Sequence, residues 1–352
     1  MVDILNYGAL NLAMAIGYRT GLFDVMAGFD RPQPISRIAE TSGLNARYIR
    51  EWLGIMVTGD IVDLIRTDDG ENRYGLPREY TPFLTRESGK ANLSVYTQEI
   101  PLLTTCSLEQ VIEGFRTGDG IPYSCYPRFQ AFMSELSNAK HQDILVDRFL
   151  PSVKDGALVS QLKKGIRVCD FGCGEGVALL LMAKAFPKSR FVGIDMAEEA
   201  IREGERQAEK QNLRNAAFIA RDVVALEGDS TLSGAFDYIT AFDAIHDQTR
   251  PLLALRTIGH MLAPGGIFSM IDIAASSDHR DNMAHPMGPF LYTVSLMHCM
   301  PVGLFDGGMG LGMMWGREKA LELLEEAGFQ EVAVLEMEYD AFNLHYLCRQ
   351  GK

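Results

Sequence analysis

Apolar residues recur at mixed three- and four-residue spacing from Ile4 to Met26, at Leu5, Leu10, Leu12, Ile16, Leu22 and Phe23. That period predicts an amphipathic helix with a break near Gly21. A short helix follows over Pro34–Glu40 with Ser36 as its N-cap, and Gly43 turns the chain. Asn45–Val57 reads as another helix, with Ile49, Leu53, Ile55 and Met56 toward a core. Ile61–Ile65 and Asn72–Leu76 read as two strands joined by a polar turn at Asp68, Asp69 and Gly70. Helix, turn, helix and hairpin in that order form a winged-helix pattern, so residues 1–88 are expected to be a domain of their own. Residues 89–160 show no sheet pattern and read as a helical connector and lid.

From 161 to 352 the pattern changes to short apolar runs between helical stretches. Strands are expected near 166–170, 190–195, 216–220, 236–242 and 267–273. The chain between each pair is long enough for a helix, as parallel crossovers require. Two further runs near 331–338 and 342–348 lie too close together for a crossover and should pair as an antiparallel hairpin. The expected fold class is α/β, a doubly wound seven-stranded Rossmann-like sheet with an antiparallel last strand, behind the winged helix.

The first strand of that sheet ends in Asp170 and opens into Gly172, Gly174 and Gly176 before an apolar helix. Glycines let the backbone turn sharply and approach a ligand without a Cβ in the way. A dinucleotide fingerprint would need a small residue at the sixth position from Gly172, and that position is Val177. The second strand ends in Asp195, and an acceptor-only carboxylate there suits a pair of ribose hydroxyls. Asp170 suits an ammonium. Together these point to S-adenosylmethionine (SAM) rather than NAD, because SAM has an ammonium and a ribose diol but no pyrophosphate.

The run Asp170-Phe-Gly-Cys-Gly-Glu-Gly176 resembles the first motif of class I SAM-dependent methyltransferases. Ala220-Arg-Asp222-Val223 resembles the third-strand signature, Leu262-Ala-Pro-Gly-Gly266 the turn before strand five, and Glu325-Glu-Ala-Gly-Phe329 the helix end before strand six. The resemblance implies that Asp170, Gly172, Gly174, Asp195, Met196, Asp222, Val223 and Phe242 hold SAM. It also implies that S-adenosylhomocysteine (SAH) is released. The N-terminal module resembles the dimerisation domain of small-molecule O-methyltransferases, which implies a homodimer.

Composition narrows the partners. A net charge of −13 argues against routine binding to nucleic acid or anionic membrane. Residues 1–85 hold eight Arg and no Lys against eleven Asp plus Glu, and the candidate recognition helix offers only Arg47 and Arg50 beside Glu51. A DNA reader shows a clearer basic footprint. No consecutive apolar run approaches the ~18–20 residues of a membrane span, and no signal peptide is evident. The six cysteines lack the spacing of a disulfide framework, which suits a reduced, cytoplasmic protein.

The chemistry concentrates where the fourth strand of the sheet runs into its loop, at Ala244-Ile-His246-Asp247. Ligands bind at this carboxyl edge in open α/β sheets. The pair resembles the His-Asp of small-molecule O-methyltransferases, where the histidine takes a proton from the acceptor; Gln248 stands where that family usually has tryptophan. Imidazole can do this near neutral pH. The residues alone leave open that His246 packs against the sheet while Asp247 caps the helix starting near Pro251. No acidic residue that would orient His246 stands out.

Two segments should shape the acceptor pocket. Tyr123, Tyr126 and Arg128 lie among turn residues before a helix expected from about Phe132. Residues 283–314 carry seven of the 17 methionines, and methionine adapts to irregular apolar ligands. His285, His298, Met314 and Trp315 lie in or beside that insert, with both histidines as second-choice bases; ordinary core filling is the alternative. No four-ligand set has zinc-site spacing, so no metal is expected. The expected activity is methyl transfer from SAM to a small, partly apolar metabolite, with oxygen the leading acceptor and nitrogen or sulfur the alternatives. The rivals are a SAM-binding transcriptional regulator reading DNA through residues 34–76 and an enzyme using SAM for other chemistry.

Overall fold

The computed structural model describes residues 1–67 and 70–351. The chain divides into two compact units, Met1–Leu102 with Asn138–Lys140, and Leu103–Ser137 with His141–Lys352. The helical stretch 89–160 is thus shared between them.

In the first unit, helices Val2–Thr20 and Leu22–Ala27 meet at Gly21, whose positive φ of 74° makes the expected break. The buried face of the long helix is made of small residues and Tyr18, not of its leucines. Trp52 explains why: its indole N–H donates to the Ala13 carbonyl at 2.8 Å, and a Cβ on Gly17 would lie 2.5 Å from its ring. Leu5, Leu12 and Ile16 therefore stay exposed. The next helix spans Ile35–Ser42 with Pro34 as N-cap, so Ser36 lies inside it and does not cap it. Asn45 does cap the helix Ala46–Thr58, accepting from the Arg47 backbone N–H at 2.9 Å. Its buried face is Ile49, Trp52, Leu53 and Met56, an i, i+3, i+4, i+7 stripe. Ile55 falls off that stripe and is 41% exposed, contrary to the sequence expectation. Strands β1 (Asp63–Arg66) and β2 (Asn72–Gly75) pair antiparallel as the wing. The expected turn at Asp68 and Asp69 lies outside the described residues.

The second unit is built on seven strands, β3 (Arg167–Phe171), β4 (Arg190–Asp195), β5 (Ala216–Ala220), β6 (Phe236–Phe242), β7 (Leu262–Ile273), β8 (Phe329–Met337) and β9 (Asp340–Gln350). Their order is β5-β4-β3-β6-β7-β9-β8. The first five are parallel; β9 runs antiparallel to both β7 and β8. Alternation sorts the central side chains to two cores. Val168 and Tyr238 point to one, Cys169, Phe171 and Ile239 to the other. Burial on both faces is why these strands read as continuous apolar runs. Strand order reverses between β3 and β6, which places a crevice at their carboxyl ends.

Gly288–Gly307 forms one helical run with a mean hydropathy of 1.2. By length and composition it could cross a membrane, although interrupted apolar runs hid this in the sequence, and 56% of it is buried inside the fold as a core helix would be. Its middle, Ser295–Cys299, is a single π-helical turn.

Candidate active site

At the crevice between β3 and β6, the turn after β3 meets the loop after β6 closely. Gly172 has φ 71°, and a Cβ there would lie 2.5 Å from the Ala244 Cβ in the loop after β6. Only glycine satisfies both constraints. Gly174, with φ 54°, donates its N–H to Asp195 Oδ2 at 2.8 Å, while Ala197 N–H reaches Oδ1 at 2.9 Å. Each oxygen keeps a second lone pair, so a diol could still be bound. Asp170 is buried and accepts from Thr240 Oγ1 at 2.7 Å. Burial pushes its carboxyl up to about 7, and the Asp195 charge adds to this. A buried carboxyl with one donor suits an incoming cation. The glycine cradle and these two acids fit SAM.

The remaining residues implied for SAM sit differently. Met196 follows Asp195 and is exposed. Asp222 caps the short helix Val223–Leu226, accepting from Val224 N–H at 2.7 Å, and the Val223 side chain belongs to the core. Phe242, at the end of β6, rests edge-on against His141 at 4.9 Å and Phe149 at 5.6 Å between ring centres.

His246 is buried, and its Nδ1 lies 2.7 Å from Asp272 Oδ1, near the end of β7. Asp272 Oδ1 also accepts the Ile273 backbone N–H at 2.9 Å. A carboxylate acceptor fixes the tautomer, so Nδ1 carries the hydrogen and Nε2 is free to take a proton. Nε2 faces Asp247 Oδ1 at 3.4 Å. Burial alone would lower the His246 pKa, but Asp272 and Asp247 outweigh it and hold it well above its usual value. Asp247 does not cap the following helix. That helix, Pro251–Met261, has Arg250 as N-cap with no side-chain bond.

Asp272 is the residue that sequence reasoning missed. Its signal was present: one acid near the carboxyl end of the run Ile267–Ile273, whose other residues are apolar except Ser269. Period and composition could not pair it with a histidine 26 residues away.

Aromatic side chains from the 123–129 turn close over the same region. The helix there starts at Phe129, earlier than expected. Phe129 stacks on His298 at 3.8 Å, and Tyr123 and Tyr126 meet the His298 ring edge-on at 5.8 and 4.7 Å. Tyr126 donates its hydroxyl to the Met297 carbonyl at 2.8 Å. Burial raises the Tyr123 pKa, and the charges of Asp247 and Asp195 raise it further. His298 is fully buried, and burial pushes it down to about 4. It is therefore a neutral wall of the pocket and a poor base, contrary to expectation.

The other candidates fall away from this cluster. Arg128 is an exposed, left-handed residue preceding the helix. His285 accepts from the Met287 N–H in its own loop. Met314 packs with Ile273, Ala275 and Leu291, beside the end of β7. Trp315 lies in the main core of the sheet, so core filling is its role.

Residues 162–328 match the family profile described as a methyltransferase domain, and residues 8–86 match an Rv2258c-like winged HTH domain. The chain carries the class I SAM-dependent methyltransferase fold behind a winged helix. Over its full length it is similar to a putative O-methyltransferase from Nostoc punctiforme, with a TM-score of 0.72, 16% identity and coverage of 99% of this chain and 97% of that one. It is also similar to human N-acetylserotonin methyltransferase, solved in complex with SAM, with a TM-score of 0.69, 16% identity and coverage of 99% and 96%. In sequence, 108 residues are 28% identical to demethylmenaquinone methyltransferase from Staphylococcus carnosus, over 30% of this chain and 43% of that protein. The chain spans less than half the length of the first curated relatives it matches.

Proposed function

We propose that this chain transfers a methyl group from SAM to a small, partly apolar acceptor, with oxygen the leading target and nitrogen or sulfur the alternatives, and releases SAH. The observation that carries this is the Asp272–His246 pair at the carboxyl edge, beside the Asp170 and Asp195 crevice. When bound, SAM supplies an electrophilic methyl on a sulfonium that is already a good leaving group. Asp195 would hold the ribose diol and Asp170 the ammonium, with Gly172 and Gly174 clearing the backbone and Met196, Asp222, Val223 and Phe242 around the rest. His246 Nε2 takes the acceptor proton, and Asp272 stabilises the imidazolium that results. Tyr123, Tyr126, Phe129 and His298 exclude water and shape an apolar wall.

The winged helix supports dimerisation more than DNA binding. Leu5, Leu12 and Ile16 form one exposed stripe on the first helix. Arg47 is tied to Glu51 and is not free for phosphate. The winged-helix match still motivates a test, and salt-dependent retardation of duplex DNA would favour a SAM-binding regulator instead. Six free thiols suit a cytoplasmic setting. The deciding experiment incubates the protein with SAM and a metabolite panel and follows SAH. Acceptor-dependent SAH is expected; SAM consumed to another product would replace methyl transfer with different chemistry.

A further inference from the structure

Three metal-ligating atoms converge in this pocket from two distant segments. A His246 ring nitrogen, an Asp247 carboxylate oxygen and Cys299 Sγ all lie within 4.8 Å of one another, and with Nδ1 held by Asp272 the nitrogen left for a ligand role is Nε2, 3.4 Å from Asp247 Oδ1. The first two residues sit on the loop after β6, and Cys299 ends the π-helical turn Ser295–Cys299. Beside them are buried polar atoms that make no well-formed hydrogen bond. Asp247 Oδ1 and both ring nitrogens of His298 are buried and lack hydrogen-bond partners. His298 Nδ1 lies 4.0 Å from Asp247 Oδ2. Buried polar atoms without partners are costly, and native folds carry few of them.

The surroundings match those of a metal-binding histidine. Such a histidine donates its other ring N–H to a carboxylate, which fixes the ring and raises its basicity. Asp272 does this for His246 at 2.7 Å. We propose that His246 Nε2, Asp247 and Cys299 Sγ bind one divalent cation of the zinc class, with a fourth position open on the side of His298. Imidazole, carboxylate and thiolate together suit zinc or cobalt and disfavour magnesium and calcium, which take oxygen ligands. Bonds of about 2.0–2.3 Å in a tetrahedron put ligand atoms roughly 3.3–3.8 Å apart, so the three need close in by only about an ångström. Binding releases the thiol proton of Cys299, and any proton on Nε2, to solvent; the cation gains the thiolate and imidazole lone pairs in exchange.

The cation would occupy the nitrogen that accepts a proton in methyl transfer. Loading should therefore silence turnover, a consequence that rests on the base role proposed above. The site itself does not depend on that role.

The test uses the full-length, reduced protein stripped with a chelator and titrated with Co2+. One equivalent per chain should produce a thiolate-to-cobalt charge-transfer band, and Zn2+ should displace it. Cys299→Ser should abolish the band. Asp247→Asn, a near-isosteric change at a partly exposed position, should weaken Zn2+ binding at least tenfold against a chromophoric chelator. Cys125→Ser should change neither. Absence of a stoichiometric band, its survival in Cys299→Ser, or unchanged affinity in Asp247→Asn overturns the site. If the band forms as expected but turnover persists at saturating Zn2+, the site stands and the base role of His246 is overturned.

Discussion

His246 owes its chemistry to neighbours that act in opposite directions. Burial disfavours the imidazolium, and two carboxylates favour it more strongly. Only the neutral ring can accept a proton, so turnover should rise with pH through the His246 pKa, on a limb lying above its usual 6.5. Asp272→Asn removes the raising charge and puts a neutral amide, with a donor as well as an acceptor, beside Nδ1. Its pH–rate profile should show that limb at lower pH, with a reduced plateau; an unmoved limb would assign the titration to another group. His246→Ala should lower kcat by about 10²–10⁴-fold while leaving SAH affinity in calorimetry unchanged. Asp170 is read the same way. A carboxyl pushed up to about 7 must lose its proton to hold an ammonium. SAH affinity should therefore fall as pH drops below 7, and Asp170→Asn should flatten that dependence. Asp195→Ala removes an acceptor for two ribose hydroxyls. Calorimetry should show a loss of about 1.5–3 kcal/mol, the range for hydrogen bonds to a charged group.

At the scale of elements, the crevice depends on the turn at Gly172 meeting the loop at Ala244 with no side chain of its own. Gly172→Ala would place a methyl 2.5 Å from the Ala244 Cβ in a left-handed conformation. The conformation alone costs roughly 1–2 kcal/mol, and the collision pushes the loop carrying His246 away from β3. Differential scanning calorimetry should show a lower Tm, and SAH should no longer raise it. A variant with wild-type SAH stabilisation would mean that the two turns are not coupled. The π-helical turn at Ser295–Cys299 is a comparable local device. His298 and Cys299, adjacent in that turn, are both buried.

For the whole molecule, the first helix matters for the apolar face it leaves exposed. Leu5, Leu12 and Ile16 stay outside its unit's core, because Trp52 needs the small face of Ala13 and Gly17. The proposed dimer would bury this exposed stripe. Leu5→Glu should convert the proposed dimer to a monomer in sedimentation velocity without unfolding it. A wild-type protein that sediments as a monomer at micromolar concentration would remove the interface.

Much of this fold was legible in the chain because its determinants are local. Strand runs such as Arg190–Asp195 and Phe236–Phe242, the left-handed glycines at 172, 174 and 176, and the absence of crossover length before β9 all act through neighbours in sequence. The acids at the strand ends were legible for the same reason, since a strand places its last side chain at the sheet's edge. What the sequence could not specify was pairing across the fold. Asp272 meets His246, Cys299 joins Asp247, and Trp315 retires into the core only when β7 lies beside β6 and the 288–304 helix packs in place. Periodicity records which face of an element is buried, but burial does not say by whom. The contacts that set the basicity of His246 are long-range electrostatic pairings, and only the folded chain brings those charges within reach of one another.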